Sequence, residues 1–414
     1  MIQSERISRN TLLNAKFNFH KRFTIHFSTF DQNLVMIERF LKDAVKSKLA
    51  DSKLLLIEGP QGVGKQTMLN AILSESNASF EVLDASNKKV RKQLEEQEEI
   101  LVGTPANFII ICEAQFLSNL QSILEMVLMG KINCTVVVTC SYPPQIDAEL
   151  LEALKIEGML FSLYAPSFNE SAKHFGLTKE TELLEERLIF GNYPEVLSNL
   201  DSATETLTSM IENTINTQLG SSDRVNKLDK LMKMLKILAF QCGDPISYND
   251  IAQRCGVDNE TIERYIDLFE KAFLLIKLPS MYNGHRYELK KTHCVYFQDN
   301  GIRNALIQNF NEPDLRNDMD RLWRNYMISE RVKWIKMNGL ERELFFWRTH
   351  TNQQMDFIEL DGEKMMAYKA DPNIFSYEKR KMAKIPASFE SLYPNAKTSV
   401  LNKSTFWNFL TRKS

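Results

Sequence analysis

The nine residues Gly59-Pro60-Gln61-Gly62-Val63-Gly64-Lys65-Gln66-Thr67 have the composition and spacing of a phosphate-binding loop. Glycines let successive backbone N–H groups close around phosphate oxygens, and a helix starting at the lysine adds the positive end of its dipole. Lys65 supplies a point charge for the β and γ phosphates. The nucleotide-binding residues expected from this pattern are Gly59, Gln61, Gly62, Val63, Gly64, Lys65, Gln66 and Thr67. One position departs from it. The residue after the lysine ordinarily carries a hydroxyl that ligates magnesium, and here it is Gln66, a weak magnesium ligand at best. Thr67 lies one helical step further on, which swings it away from the metal. The loop argues for binding a nucleotide more strongly than for hydrolysing it.

A second constellation follows at Phe108-Ile109-Ile110-Ile111-Cys112-Glu113-Ala114-Gln115. P-loop proteins end such an apolar strand with a magnesium-coordinating Asp and a water-polarising Glu. Here Cys112 holds the Asp slot, and a thiol is a poor ligand for a hard cation. Glu113 is the candidate catalytic general base; the alternative is a core strand ending in one exposed acid. Both departures fall on the same metal ion. Magnesium in such sites is held largely by the phosphates, so ATP binding survives with the metal weakly held. Placement of the attacking water suffers more, and positioning is most of the catalysis in phosphoryl transfer. Ser141, in Thr139-Cys140-Ser141, offers either a γ-phosphate contact or a plain turn residue.

These residues need a scaffold, and the first part of the chain contains one. Five short apolar runs, at 54–57, 80–83, 108–111, 135–139 and 159–164, are apolar throughout rather than alternating. That suits strands buried on both faces of a parallel sheet. Ligands of doubly wound sheets gather at the carboxyl ends of the strands. The phosphate loop, Asp84, Cys112-Glu113 and Thr139-Cys140-Ser141 therefore share one edge. A mostly helical stretch over 170–217 and a polar linker, Gly220-Ser221-Ser222-Asp223, come next.

Beyond the linker, Leu228, Leu231, Met232, Leu235, Leu238 and Ala239 recur at helical spacing until Gly243-Asp244-Pro245. A short helix starts at Ser247, and Asp258 or Asn259 caps a third carrying Ile262, Tyr265, Ile266, Phe269 and Phe273. Strand-like 274–278 and 295–297 flank a turn at Asn283-Gly284. Three helices and a two-stranded wing make a winged-helix pattern. Its third helix is more acidic than basic, which disfavours DNA phosphates. Arg286, Lys290 and Lys291 of the wing could reach a nucleic-acid backbone or serve a protein contact. Lys379-Arg380-Lys381 with Lys384 reads as solvated helix surface.

From about Leu306 a long helix gives way to strands at 344–348, 355–359 and 365–369, joined by turns with Asn352 and Asp361-Gly362. Asp356 and Lys369 are spaced like the Asp…Glu-x-Lys set of magnesium nucleases, with Ala367 in the Glu position. Glu330, on the preceding helix, is the other acid expected to join. With a carboxylate missing, cleavage is not expected.

At 414 residues, two to four domains are expected. Hydrophobic and charged fractions of 43% and 25% are those of an ordinary soluble protein. A net charge of -2 argues against a surface coated in basic charge for nucleic acid. Six scattered cysteines without a CxxC pair suggest neither a disulfide framework nor a zinc site, which fits a reducing cytoplasm. No apolar run reaches transmembrane length and the N-terminus lacks a signal-peptide core, so no membrane role is expected. Oligomeric state is not legible.

Taken in order, these segments resemble a prokaryotic family of AAA-type P-loop ATPases of unknown function whose C-terminal domain is like a PD-(D/E)XK nuclease. The resemblance runs from about Asn33 to the C-terminus. Besides the phosphate loop it rests on Glu113-Ala114-Gln115, Tyr164-Ala165-Pro166-Ser167-Phe168, Gly191-Asn192-Tyr193-Pro194-Glu195-Val196 and Ser247-Tyr248-Asn249-Asp250-Ile251-Ala252. It rests further on 261–273, on Tyr296-Phe297-Gln298-Asp299-Asn300-Gly301-Ile302-Arg303-Asn304, on Phe346-Trp347-Arg348-Thr349 and on Met355-Asp356-Phe357-Ile358. It implies an α/β chain: an N-terminal extension (1–32), a P-loop parallel-sheet AAA-like domain (33–168), a helical lid and linker (169–222), a winged-helix domain (223–305) and a restriction-endonuclease-like domain (306–414).

This chain departs from the family's usual residues where metal and phosphate chemistry would sit. Lys65-Gln66-Thr67 replaces Lys-Thr-Thr, Cys112-Glu113 replaces Asp-Glu, Met159 replaces the Arg after Gly158, and Ala367-Tyr368-Lys369 replaces Glu-Phe-Lys. The chain looks like a degenerate member. Three functions compete. The favoured one is an ATP- or ADP-binding AAA-like protein with slow or absent hydrolysis and no nuclease activity. The others are a working ATPase using Glu113, and a DNA- or protein-binding module on a P-loop scaffold.

Overall fold

The structure is a computed structural model and describes residues 36–76, 78–219, 225–282, 284, 288, 292–373 and 383–411. The N-terminal extension, the 220–223 linker, Asn283, Arg286, Lys290, Lys291 and Lys379-Arg380-Lys381 lie outside them. The chain divides into two compact units. The first holds 41–58 and 65–161, and the second 36–40, 59–64 and 162 onward.

The first unit is built on strands β1 (Leu54–Glu58), β2 (Phe80–Asp84), β3 (Phe108–Cys112), β4 (Thr135–Cys140) and β5 (Leu160–Ser162), in the order β2-β3-β4-β1-β5. The pairs β2–β3, β3–β4 and β4–β1 are parallel. Every residue of β4 is buried, as the unbroken apolar run requires. The core gathers Leu54, Leu56, Ile109, Ile111, Val136 and Val138 with Leu120, Ile123 and Leu124 of helix Leu120–Leu128. Helix Lys65–Ser74 follows β1 and buries Met68, Leu69, Ile72 and Leu73, one stripe at helical spacing. The last apolar run is shorter as a strand than the sequence suggests: β5 covers three residues of 159–164.

In the second unit, helices Val225–Phe240, Tyr248–Cys255 and Asn259–Lys271 precede the antiparallel strands β6 (Leu275–Pro279) and β7 (His293–Phe297). Asp258 caps the third helix, accepting the N–H of Thr261 at 2.6 Å. Helix Asn300–Ile307 follows directly, earlier than the helical pattern from Leu306 predicts. The 19-residue helix Met319–Met337 leads into β8 (Glu343–Arg348), β9 (Gln354–Asp361) and β10 (Lys364–Ala370). These pair antiparallel, and β11 (Lys397–Leu401) adds to β10 in parallel as an edge strand. The sequence reading missed β11, whose alternating exposed and half-buried residues lack a continuous apolar run. Trp347, Met355, Ile358, Ala367 and Phe389 form the core on one face of this sheet.

Candidate functional site

Strand order decides which functional side chains meet. β4 lies between β1 and β3, so Ser141, one residue past β4, stands between the residues that follow the other two strands. The buried ammonium of Lys65 donates to Ser141 Oγ at 2.9 Å. That hydroxyl donates to Glu113 Oε1 at 2.7 Å. Gln115 closes the arrangement: its Nε2 donates to Glu113 Oε2 at 2.8 Å, and its Oε1 accepts the Ser141 N–H at 3.2 Å. Ser141 is a hub of this network, not merely a turn residue. The shared carboxyl edge expected from sequence is there for Lys65, Glu113 and Ser141, and for Asp84, which ends β2 beside Cys112 at the end of β3. Asp84 is tied into its own turn by accepting the Ser86 N–H at 2.9 Å.

Glu113 has φ 52° and ψ 41°, a left-handed backbone that costs a non-glycine residue about 1 kcal/mol. The bonds from Ser141 and Gln115 hold its carboxylate in that setting. Burial pulls the Lys65 ammonium down to about 8, against the attraction of nearby Glu113. Cys112, fully buried, has its thiol pushed up to about 11 by burial, with the Gln66 side chain opposing. A neutral, soft thiol therefore fills the position where a hard cation would look for oxygen. The Gln66 and Thr139 side chains hydrogen-bond with that thiol, and the Asp84 and Glu113 carboxylates bear on it electrostatically. Among the described residues no group of three or more His, Cys, Asp or Glu is arranged to hold a metal ion.

The turn of the phosphate loop belongs to the second unit. Gly59, Gly62 and Gly64 have φ of 150°, 83° and 93°, which side-chain-bearing residues rarely adopt. A Cβ on Gly59 would lie 1.9 Å from the carbonyl oxygen of Leu163. Val63 is buried, whereas Gln61 and Gly62 are exposed and border a cavity of about 520 Å³. Glu195 and Glu205 also line that cavity, so a phosphate is disfavoured inside it. Arg39, which no sequence motif singled out, donates to the Val63 carbonyl at 2.7 Å and pairs with buried Glu170 at 3.1 Å. A lone arginine two residues before helix Leu41–Asp51 carries no spacing signal.

The C-terminal residues are arranged differently from the nuclease expectation. Asp356 accepts from Gln354 Nε2 at 2.7 Å and from the Ala370 N–H at 2.8 Å, with Arg324 at 3.6 Å and Lys369 at 3.5 Å. Glu330 does not join it. Its carboxylate accepts the Phe168 N–H at 2.7 Å and Asn192 Nδ2 at 3.2 Å, and pairs with Lys333. Arg324, not Glu330, meets Asp356, and six residues along a helix is a rotation of roughly 240°. Three resemblance motifs prove architectural. Asp299 caps helix Asn300–Ile307 and accepts the Asn192 N–H at 2.8 Å. Ser167 and Glu170 form a capping box on helix Phe168–Phe175.

Residues 51–172 match the family model described as an AAA domain, and residues 181–313 match a domain of unknown function, DUF8612. An uncharacterized protein of Haemophilus influenzae is 24% identical over 303 residues, covering 66% of this chain and 74% of its own. Among solved structures, the Walker-type ATPase of Pyrococcus abyssi aligns with 66% of this chain and 96% of its own, at 13% identity and a TM-score of 0.44. The RuvB Holliday junction branch migration motor of Thermotoga maritima aligns with 59% and 90%, at 16% identity and a TM-score of 0.33. Among the described residues no helix is long and apolar enough to cross a membrane.

Proposed function

We propose that this chain, whose residues 51–172 form an AAA-type P-loop domain, binds ATP or ADP through 59–67 and hydrolyses ATP slowly or not at all. The observation that carries the binding half is the loop itself. Three positive-φ glycines run straight into a helix whose first residue is the buried Lys65. A backbone of that kind turns its N–H groups to an anion, and the lysine adds charge beside them.

The catalytic half rests on Cys112 and Gln66. Glu113 follows directly, but the protein offers no oxygen ligand at Cys112 to fix a metal beside it. Magnesium, when it arrives with ATP, is held chiefly by the phosphates. The function is therefore that of a nucleotide-responsive binding protein more than a motor.

The remaining segments are read in the same way. Residues 223–305 form a winged-helix domain, supported by the three helices and the β6–β7 pair. Residues 306–414 form a nuclease-like α/β domain without cleavage, supported by the pairing of Asp356 with Arg324 and Lys369 and by the buried Ala367. The third helix exposes Glu260 and Glu263 as well as Arg264, which favours a protein partner over DNA. Six buried, unpaired cysteines support a reducing, cytoplasmic setting.

Isothermal titration with ATP, with and without magnesium, tests the reading together with a phosphate-release assay. Binding in both conditions, lost in Lys65→Ala, and little phosphate release are expected. Absence of binding by the wild-type chain removes the proposal, and brisk release abolished by Glu113→Gln replaces it with an active ATPase.

A further inference from the structure

Arg39 touches the phosphate loop through a carbonyl. Its buried guanidinium donates from Nη1 to Val63 O at 2.7 Å, from Nη2 to Tyr164 O at 2.5 Å and from Nε to Glu170 Oε1 at 3.1 Å. Glu170 is equally constrained. Oε1 also accepts the Phe40 N–H at 2.8 Å, and Oε2 accepts the Ser167 N–H at 2.9 Å and hydroxyl at 3.1 Å. Neither side chain has freedom to turn.

The carbonyl of Val63 and the N–H of Gly64 belong to one planar peptide unit, so fixing one end fixes the other. A cation on the carbonyl oxygen draws electron density toward it and makes the N–H a stronger donor, an effect that a low-dielectric interior enlarges. We propose that Arg39, oriented by Glu170, is a positioning residue for polyphosphate recognition: by donating to Val63 O it directs and strengthens the Gly64 N–H that faces the phosphates. This rests on the nucleotide-binding reading. A buried Arg–carboxylate pair is weak support for stability alone, since apolar replacements often stabilise as well. The bond to Val63 O supplies a role that stability does not.

The test uses the full chain as wild type, as Arg39→Gln, and as Arg39→Gln combined with Glu170→Gln, which removes the uncompensated buried carboxylate. ATP affinity is measured by titration and unfolding by heating without nucleotide. Loss of a charge-assisted bond of this kind predicts a drop in ATP affinity of roughly tenfold in both variants. The double variant regains thermal stability without regaining affinity. Affinity within twofold of wild type in the double variant overturns the inference, because stability alone then accounts for the pair. If wild type binds ATP and the variants match it, only this inference falls; if wild type does not bind, the nucleotide reading falls with it.

Discussion

Lys65 and Ser141 are joined by a 2.9 Å hydrogen bond, Nζ to Oγ, and the same hydroxyl donates to Glu113 at 2.7 Å. The lysine expected to meet phosphate and the acid expected to act as base thus share one serine. Whatever draws Lys65 toward an anion acts on a group already coupled to Glu113.

This coupling has a pH signature. Burial holds the Lys65 ammonium down to about 8 in the folded chain, against 10.5 for an ordinary lysine. Between those values the unfolded chain binds more protons than the folded one, so stability rises with pH across that window. Below about pH 8 both states are protonated and the burial penalty is fully present. The wild-type chain should gain up to about 3 kcal/mol from pH 8 to 10.5 relative to Lys65→Met. Parallel urea titrations of the two proteins check it; identical pH profiles would refute the buried, depressed lysine.

Cys112 is expected to limit turnover. Replacing its neutral thiol by an oxygen ligand, Cys112→Asp, should increase magnesium-dependent phosphate release severalfold while leaving ATP affinity nearly unchanged. The carboxylate gives the metal a fixed partner beside Glu113. Unchanged release in a folded Cys112→Asp protein would sink this account of the site.

Glu359 carries a structural load in the second unit. It accepts two buried bonds from Arg331, at 2.6 and 2.9 Å, and a partly buried one from Arg342 at 2.6 Å. Arg331 also lies over Trp334, 4.4 Å from the ring centre. Glu359→Gln removes the charge that buried Arg331 shares with half-buried Arg342, at a cost of roughly 3–5 kcal/mol. Chemical denaturation measures it, and a loss below 1 kcal/mol contradicts the pairing.

Gly191 is expected to tolerate no side chain. A Cβ there would stand 1.9 Å from Asp299 Oδ1, the carboxylate that caps helix Asn300–Ile307. Gly191→Ala should lower the melting temperature markedly, whereas Gly339→Ala, with open space around it, serves as the comparison at a similar positive φ. Equal melting temperatures for the two variants would rule out the close approach.

Much of this was legible locally. The phosphate loop, the helix after it, the apolar strands and the caps at Ser247 and Asp258 follow from glycine placement, unbroken apolar runs and short polar side chains before helices. Such signals act within a few residues of themselves, so a linear reading captures them. Partnerships between distant segments were not legible. Placing β4 between β1 and β3 made Ser141 the link between Lys65 and Glu113. Only folding showed Arg39 beneath Val63, Asp299 against Asn192, and Glu330 turned to Phe168 rather than to Asp356. β11 escaped because an edge strand needs neither a buried face on both sides nor an apolar run. Residue type and spacing determine which groups are available for chemistry; strand order and the demand that buried polar groups find partners decide which of them meet.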